Sequence, residues 1–186
     1  SRSDGSMITW DFPADETATV RAELDLPPDG TAPRLRLITT VKADGWYSFG
    51  YVGAPETPAA ETSELWQPLI YNERRFPHES FLEAAYRCPL PTTLVTRGGI
   101  TTGVLADPAE YPFQPLPNLA NSRFGVALRN ARGLAQPMLF APLLGGAGSS
   151  MKAGETREFV MRLVVAKANL SATYERMARS LYGFAD

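Results

Sequence analysis

Few residues in this sequence could do chemistry on their own, and their spacing limits what they could do. His78 is the sole histidine and Cys88 the sole cysteine. A Ser-His-Asp or Cys-His mechanism would therefore have to use His78, which sits in a polar loop between Pro77 and Glu79, and no G-x-S-x-G elbow presents a serine. One cysteine permits no intrachain disulfide and no cysteine-based zinc site, and a histidine-based metal site lacks ligands. An oxygen-ligand calcium site at Asp107 and Glu110 lacks a supporting Asp-x-Asp loop. No metal or cofactor is expected. Gly145-Gly-Ala-Gly148 has neither the lysine nor the helix of a phosphate loop and reads as a flexible loop.

Glycoside hydrolysis needs two carboxylates about 5–10 Å apart, one of them protonated. Glu73, Glu79, Asp107 and Glu110 lie in loops beside aromatics. Arg74 and Arg75 beside Glu73 would hold it ionised, which suits a salt bridge better than an acid catalyst. Asp107-Pro108 reads as a turn cap. Sugar binding needs flat aromatic faces and planar polar groups. Trp46, Trp66, Tyr71, Tyr111 and Phe113 lie at predicted strand ends or in loops, with Arg74, Arg75, Gln114 and Asn118 near them in sequence. Trp46, Trp66, Tyr71, Arg74, Arg75, Tyr111 and Phe113 are thus the candidate carbohydrate-binding residues, although such aromatics also serve as core. Asn169-Leu-Ser171 matches a glycosylation acceptor, but a helix N-cap explains it better.

The elements that must position these residues are mostly strands. Period-2 alternation marks 17–24 and 34–41, and 7–12 is a short first strand. Asp44-Gly45 predicts a hairpin into a strand over 46–52. Residues 53–63 form a loop. Residues 64–71 read as a strand that Pro68 confines to an edge or bulge, and 81–86 reads as strand. Residues 92–96 and 100–105 form a hairpin about Gly98-Gly99. A proline-rich lead-in, 111–117, delivers a central hairpin of 124–128 with 134–140, followed by a second loop to Ser150. Residues 156–167 make a long strand with Phe159, Met161, Leu163 and Val165 on one face. Leu170, Tyr174, Met177, Ala178, Leu181 and Tyr182 then change the period to that of an amphipathic helix, capped by Asn169 or Ser171 and stopped at Gly183. The expectation is an all-β, two-sheet antiparallel β-sandwich over 1–168 with one C-terminal α-helix in 169–186. The helix stripe must pack on the sandwich edge or on a following domain.

The chain has 186 residues and net charge −2. Residues 1–93 carry 14 acids and 8 bases, and residues 94–186 carry 6 and 10, spaced singly. With no basic run, nucleic acid is not an expected partner. No apolar stretch approaches the about 20 residues that cross a bilayer, so no membrane partner is expected. The polar start and the stop just after a helix suggest a piece of something longer, with any export signal removed.

Longer words carry a resemblance: Trp66-Gln-Pro-Leu-Ile-Tyr71, Glu73-Arg-Arg-Phe-Pro77, Asn121-Ser-Arg-Phe-Gly-Val-Ala127, Ala135-Gln-Pro-Met-Leu-Phe-Ala-Pro142, Leu144-Gly-Gly146 and Leu181-Tyr-Gly-Phe184. Together, over about residues 60–186, they resemble the N-terminal β-sandwich module of large bacterial proteins whose next region is a six-hairpin (α/α)-toroid glycosidase-like domain. The resemblance implies a supersandwich-like fold, a glycoside-hydrolase-like parent with its catalytic acids in the toroid, and a module without activity of its own. It makes the toroid of the same polypeptide the expected partner, the terminal helix the connector whose apolar face docks there, and a periplasmic or secreted location favoured over a cytoplasmic one. An autonomous carbohydrate-binding module and a structural interaction domain are the alternatives.

Overall fold

A computed structural model describes residues 2–4, 6–28, 30–52, 54–69 and 76–184. In chain order the strands are β1 (Arg2–Asp4), β2 (Met7–Asp11), β3 (Ala18–Asp25), β4 (Arg34–Val41), β5 (Gly45–Trp46), β6 (Phe49–Tyr51) and β7 (Glu64–Trp66). They continue with β8 (Glu83–Ala84), β9 (Thr92–Arg97), β10 (Ile100–Ala106), β11 (Gly125–Arg129), β12 (Ala135–Ala141), β13 (Ser150–Met151) and β14 (Thr156–Ala166), and helix α1 (Leu170–Ser180) follows. The large sheet runs β1-β2-β3-β4-β14-β10-β9-β7 and the smaller one β6-β12-β11-β8, with β13-β5 as a separate ribbon. Every pairing is antiparallel. The expected all-β sandwich with one C-terminal helix is what forms.

Alternation decides which face each strand buries. Leu35, Val104, Phe159 and Met161 of the large sheet meet Val126 and Leu139 of the small sheet, with Phe124 at their centre. A second patch between the sheets joins Leu65 and Val95 to Leu128 and Ala135. Each fully buried aliphatic side chain here contributes about 1.5–3 kcal/mol. The inward face of β14 is the one the sequence predicts, but Val165 at its end is 73% exposed. It pairs with Thr102 of β10.

The outer face of the large sheet is divided. Over β1 to β4 it is polar, with Arg36 bridging Glu23 and Glu158. Over β14, β10, β9 and β7 it is apolar and covered by α1. Trp66, Leu94, Gly103 and Val164 stand opposite one another in one cross-strand row, and Leu170, Met177 and Ala178 pack on it with Leu90 and Leu105. The Trp66 and Tyr174 rings lie 4.6 Å apart. Asn169 caps the helix, its side chain accepting the Ala172 N–H at 2.9 Å, and the Tyr182 hydroxyl donates to Ala106 O at 2.8 Å. The apolar face expected to dock on a toroid is therefore occupied by the sandwich itself, because the row from Trp66 to Val164 offers an apolar surface within the same chain.

Three further expectations change. Residues 46–52 are not one strand folded back on β4, because β4 already has β3 on one side and β14 on the other. Instead Asp44 accepts from Lys152 Nζ and the Ala153 N–H, and the segment splits into β5, paired with β13, and β6, paired with β12. The strand predicted over 64–71 ends at Trp66, ahead of Pro68 and of Leu69 at φ +64°; Ile70 and Tyr71 lie outside the described residues. The segment 81–86 is strand for Glu83 and Ala84 alone and then closes into a 3-10 turn, Ala85–Arg87.

Candidate functional site

The two sheets part at the end where β14 begins, and the gap is a cleft of about 590 Å³. Leu37 and Thr39 of β4 with Arg157, Phe159 and Met161 of β14 form one wall. They project inward together because Arg157 pairs with Thr39 and Phe159 with Leu37 across the strands. Phe49 of β6 and Ala141-Pro142 at the end of β12 form the other wall. Residues 113–116 close the mouth, with Asn121, Arg123, Ala147 and Gly148 beside them. The size is usual for a ligand pocket.

The covering loop is held from both ends. Asp107 caps a 3-10 turn (Pro108–Glu110) by accepting the Ala109 N–H, and its carboxylate takes Arg162 Nε at 2.8 Å and Arg34 Nε at 3.7 Å. Glu110 accepts the Val160 N–H at 3.1 Å and meets Arg123 at 3.4 Å. Burial pushes its carboxyl above the usual range, while the Val160 N–H and Arg123 work against that shift. The Tyr111 hydroxyl is directed at both Ala85 O and Cys88 O, 2.9 and 2.7 Å away, and its ring meets Phe124 edge-on. Further along, Gln114 donates to Asn121 O, Asn118 caps a second 3-10 turn (Leu119–Asn121), and both asparagines donate to Leu116 O. The neighbouring loop is tied in by the Leu143 N–H on Arg123 O. A Cβ on Gly146 would stand 2.7 Å from Ser122 O, so this close approach of the two loops needs glycine.

Among the seven candidate sugar-binding residues, Phe113 lines this cleft, 91% exposed. Tyr111 anchors the loop from below. Trp66 packs on α1, and Trp46 is exposed on β5 outside the lining of the cleft. Tyr71, Arg74 and Arg75 lie outside the described residues, as does Glu73. The groups with catalytic potential are engaged elsewhere or lie open: Asp107 and Glu110 hold the loop, and His78 and Glu79 are exposed. Cys88 is buried, and burial pushes its thiol up to about 12, which suppresses the thiolate. Among the described residues no group of three or more His, Cys, Asp and Glu could hold a metal ion.

Sequence reasoning missed Phe49, Arg123 and Arg157. A signal for Arg157 was present: it shares the inward face of β14 with Phe159 and Met161, so a charged residue begins an apolar face.

No family model matches this chain, and no curated protein matches it. Among solved structures it is similar to a putative aldose 1-epimerase from Escherichia coli K12, with a TM-score of 0.41 and 13% sequence identity over 89% of this chain and 67% of that one. A likeness of that degree carries no argument about the chemistry of this chain.

Proposed function

We propose that this chain is a non-catalytic accessory domain of a polysaccharide-processing, glycoside-hydrolase-like protein, packing on an (α/α)-toroid catalytic domain and forming one wall of its substrate cleft. The observation that carries this reading is four apolar side chains facing water on two loops that are tied to each other: Phe113, Leu116, Leu119 and Leu144, between 59% and 91% exposed. Large apolar side chains exposed on adjoining loops are the kind of surface that contacts a partner. The loops that bear them are braced by amide hydrogen bonds, so little ordering would oppose docking. The structural engagement of Asp107 and Glu110 supports a role without catalysis in this chain. The parent would meet its polymer outside the cytoplasm.

The reading is tested by mixing this chain with the toroid region of its parent protein expressed separately. A complex on size-exclusion chromatography that is lost in a Phe113→Asp, Leu116→Asp double variant supports it. Absence of any complex, or hydrolysis of polysaccharide by this chain alone, refutes it.

A second reading, an autonomous carbohydrate-binding module, is favoured by Phe49 and Phe113 sharing a cleft with Gln114, Asn121 and two arginines. Retention of the chain on a polysaccharide affinity gel, lost with Phe113→Ala, would support it over docking alone.

A further inference from the structure

We infer that the cleft takes an acidic oligosaccharide, with a sugar ring against Phe49 and Phe113 and its ring carboxylate held by Arg123 and Arg157. This rests on the reading of the domain as a wall of a polysaccharide-processing cleft and adds the class of substrate to it.

Several described arginines are held by close partners. Arg162 is nearly enclosed, its side chain 17% exposed, and donates to Asp107 at 2.8 Å and to Ala32 O at 3.2 Å. Arg129 donates to Pro77 O at 2.7 Å and lies over the Phe76 ring. Arg36 gives two nitrogens to Glu158, at 3.1 and 2.5 Å. These three hold the fold. Arg123 and Arg157 do not match them. Arg123 lies 3.4 Å from Glu110, and Arg157 lies 3.6 Å from Glu155. Both distances exceed the about 2.7–2.9 Å of a charge-assisted hydrogen bond. Their side chains are 48% and 44% exposed at the mouth of the cleft. A guanidinium carries five N–H donors in a planar fork that matches a carboxylate, and both guanidinium side chains belong to residues that line the cleft.

The other charge on the wall is turned away. Glu158 pairs with Ile38 in register, on the outer face of the sheet, where Arg36 holds its carboxylate. Of the charged residues that line the cleft, the two that remain to face a ligand are therefore Arg123 and Arg157. Leu37, Phe49, Phe159 and Met161 make the floor apolar, which disfavours a small, fully hydrated anion and favours one attached to a carbon face. An acidic sugar has both parts: C–H groups for an aromatic face and a carboxylate for the guanidinium pair.

The test is titration of this chain, at low ionic strength, with an oligogalacturonate tetrasaccharide, a neutral tetrasaccharide and octanoate, followed by calorimetry and by side-chain NMR of Phe49 and Phe113. Saturable binding of the oligogalacturonate that shifts both rings, weakens with salt, and falls roughly tenfold in each of Arg123→Gln and Arg157→Gln is expected. Arg176→Gln, on the exposed face of α1, should bind as the unaltered chain does. Equal affinity for the neutral sugar, equal or tighter binding of octanoate, variants that bind like the unaltered chain, or no binding at all would each overturn the inference. A chain that binds its toroid but no oligogalacturonate loses this inference and keeps the docking role. One that binds the sugar but no toroid loses the docking role.

Discussion

The Glu64 carboxylate, on edge strand β7, accepts the backbone N–H of Leu170 at 2.9 Å. A side chain more than a hundred residues earlier in the sequence thus satisfies a donor that the first turn of α1 cannot satisfy itself, and sets a negative charge at the positive end of the helix. Glu64→Ala is expected to lower stability by about 1 kcal/mol, and Glu64→Gln by less. Urea denaturation of the two variants checks this. No change in Glu64→Ala would mean that Asn169 alone secures the helix start.

Asp107 joins β14 to the covering loop through Arg162, and its own side chain is 8% exposed. Asp107→Asn leaves a nearly enclosed guanidinium without its counter-charge, so a loss of about 2–4 kcal/mol is expected. An Asp107→Asn, Arg162→Met double variant should recover part of it. A double-mutant cycle by thermal or urea denaturation measures the coupling.

Beneath the helix, a Cβ on Gly103 would stand 2.3 Å from Thr93 O and 2.5 Å from Leu94 Cδ2. Gly103→Ala must push against backbone, and about 1–3 kcal/mol of stability should be lost. Hydrogen exchange should quicken in α1 ahead of β11 and β12, which lie on the other face. Uniform quickening would place the strain in the sheet rather than under the helix.

Asp15 accepts from Thr17 Oγ1 and from the N–H groups of Thr17 and Ala18. These bonds, that from Thr17 Oγ1 first, lower its carboxyl to about 2. The folded value lies below the unfolded one, so the stabilisation is present above the ordinary aspartate value near 4 and is lost as pH falls from there through about 2. NMR titration should find the low midpoint, and Thr17→Val should raise it. A midpoint near 4 in the unaltered chain would contradict the arrangement.

The sandwich was legible because alternation reports burial directly: 17–24, 34–41 and 156–167 each became a strand, with Ala22, Leu35, Phe159 and Met161 turned into the core. The hairpin about Gly98-Gly99 and the helix with its Asn169 cap were equally local signals. What stayed hidden depends on partners far along the chain. Asp44-Gly45 carries a hairpin signature, yet nothing local says that β14 takes the place a returning strand would need. The cleft was hidden for the same reason. Phe49, Phe113, Arg123 and Arg157 come from four separated segments, and sequence neighbourhood instead grouped aromatics such as Trp66 and Tyr111, which serve the core.

The position of β14 in the large sheet has a consequence for how the molecule is made. β4 and β10 meet through it and not through each other, although among the described residues β14 comes last of the strands. A ribosome that has released residues 1–150 has therefore delivered two half-sheets with open edges and an unfilled slot between them. Completion waits for residues 156–166, and the long-range closure this requires is slow. Until it occurs the β4 and β10 edges are free to pair with another copy. Chains truncated before Thr156 are expected to aggregate, and supplying the 156–180 segment as a peptide during refolding should suppress that by filling the slot.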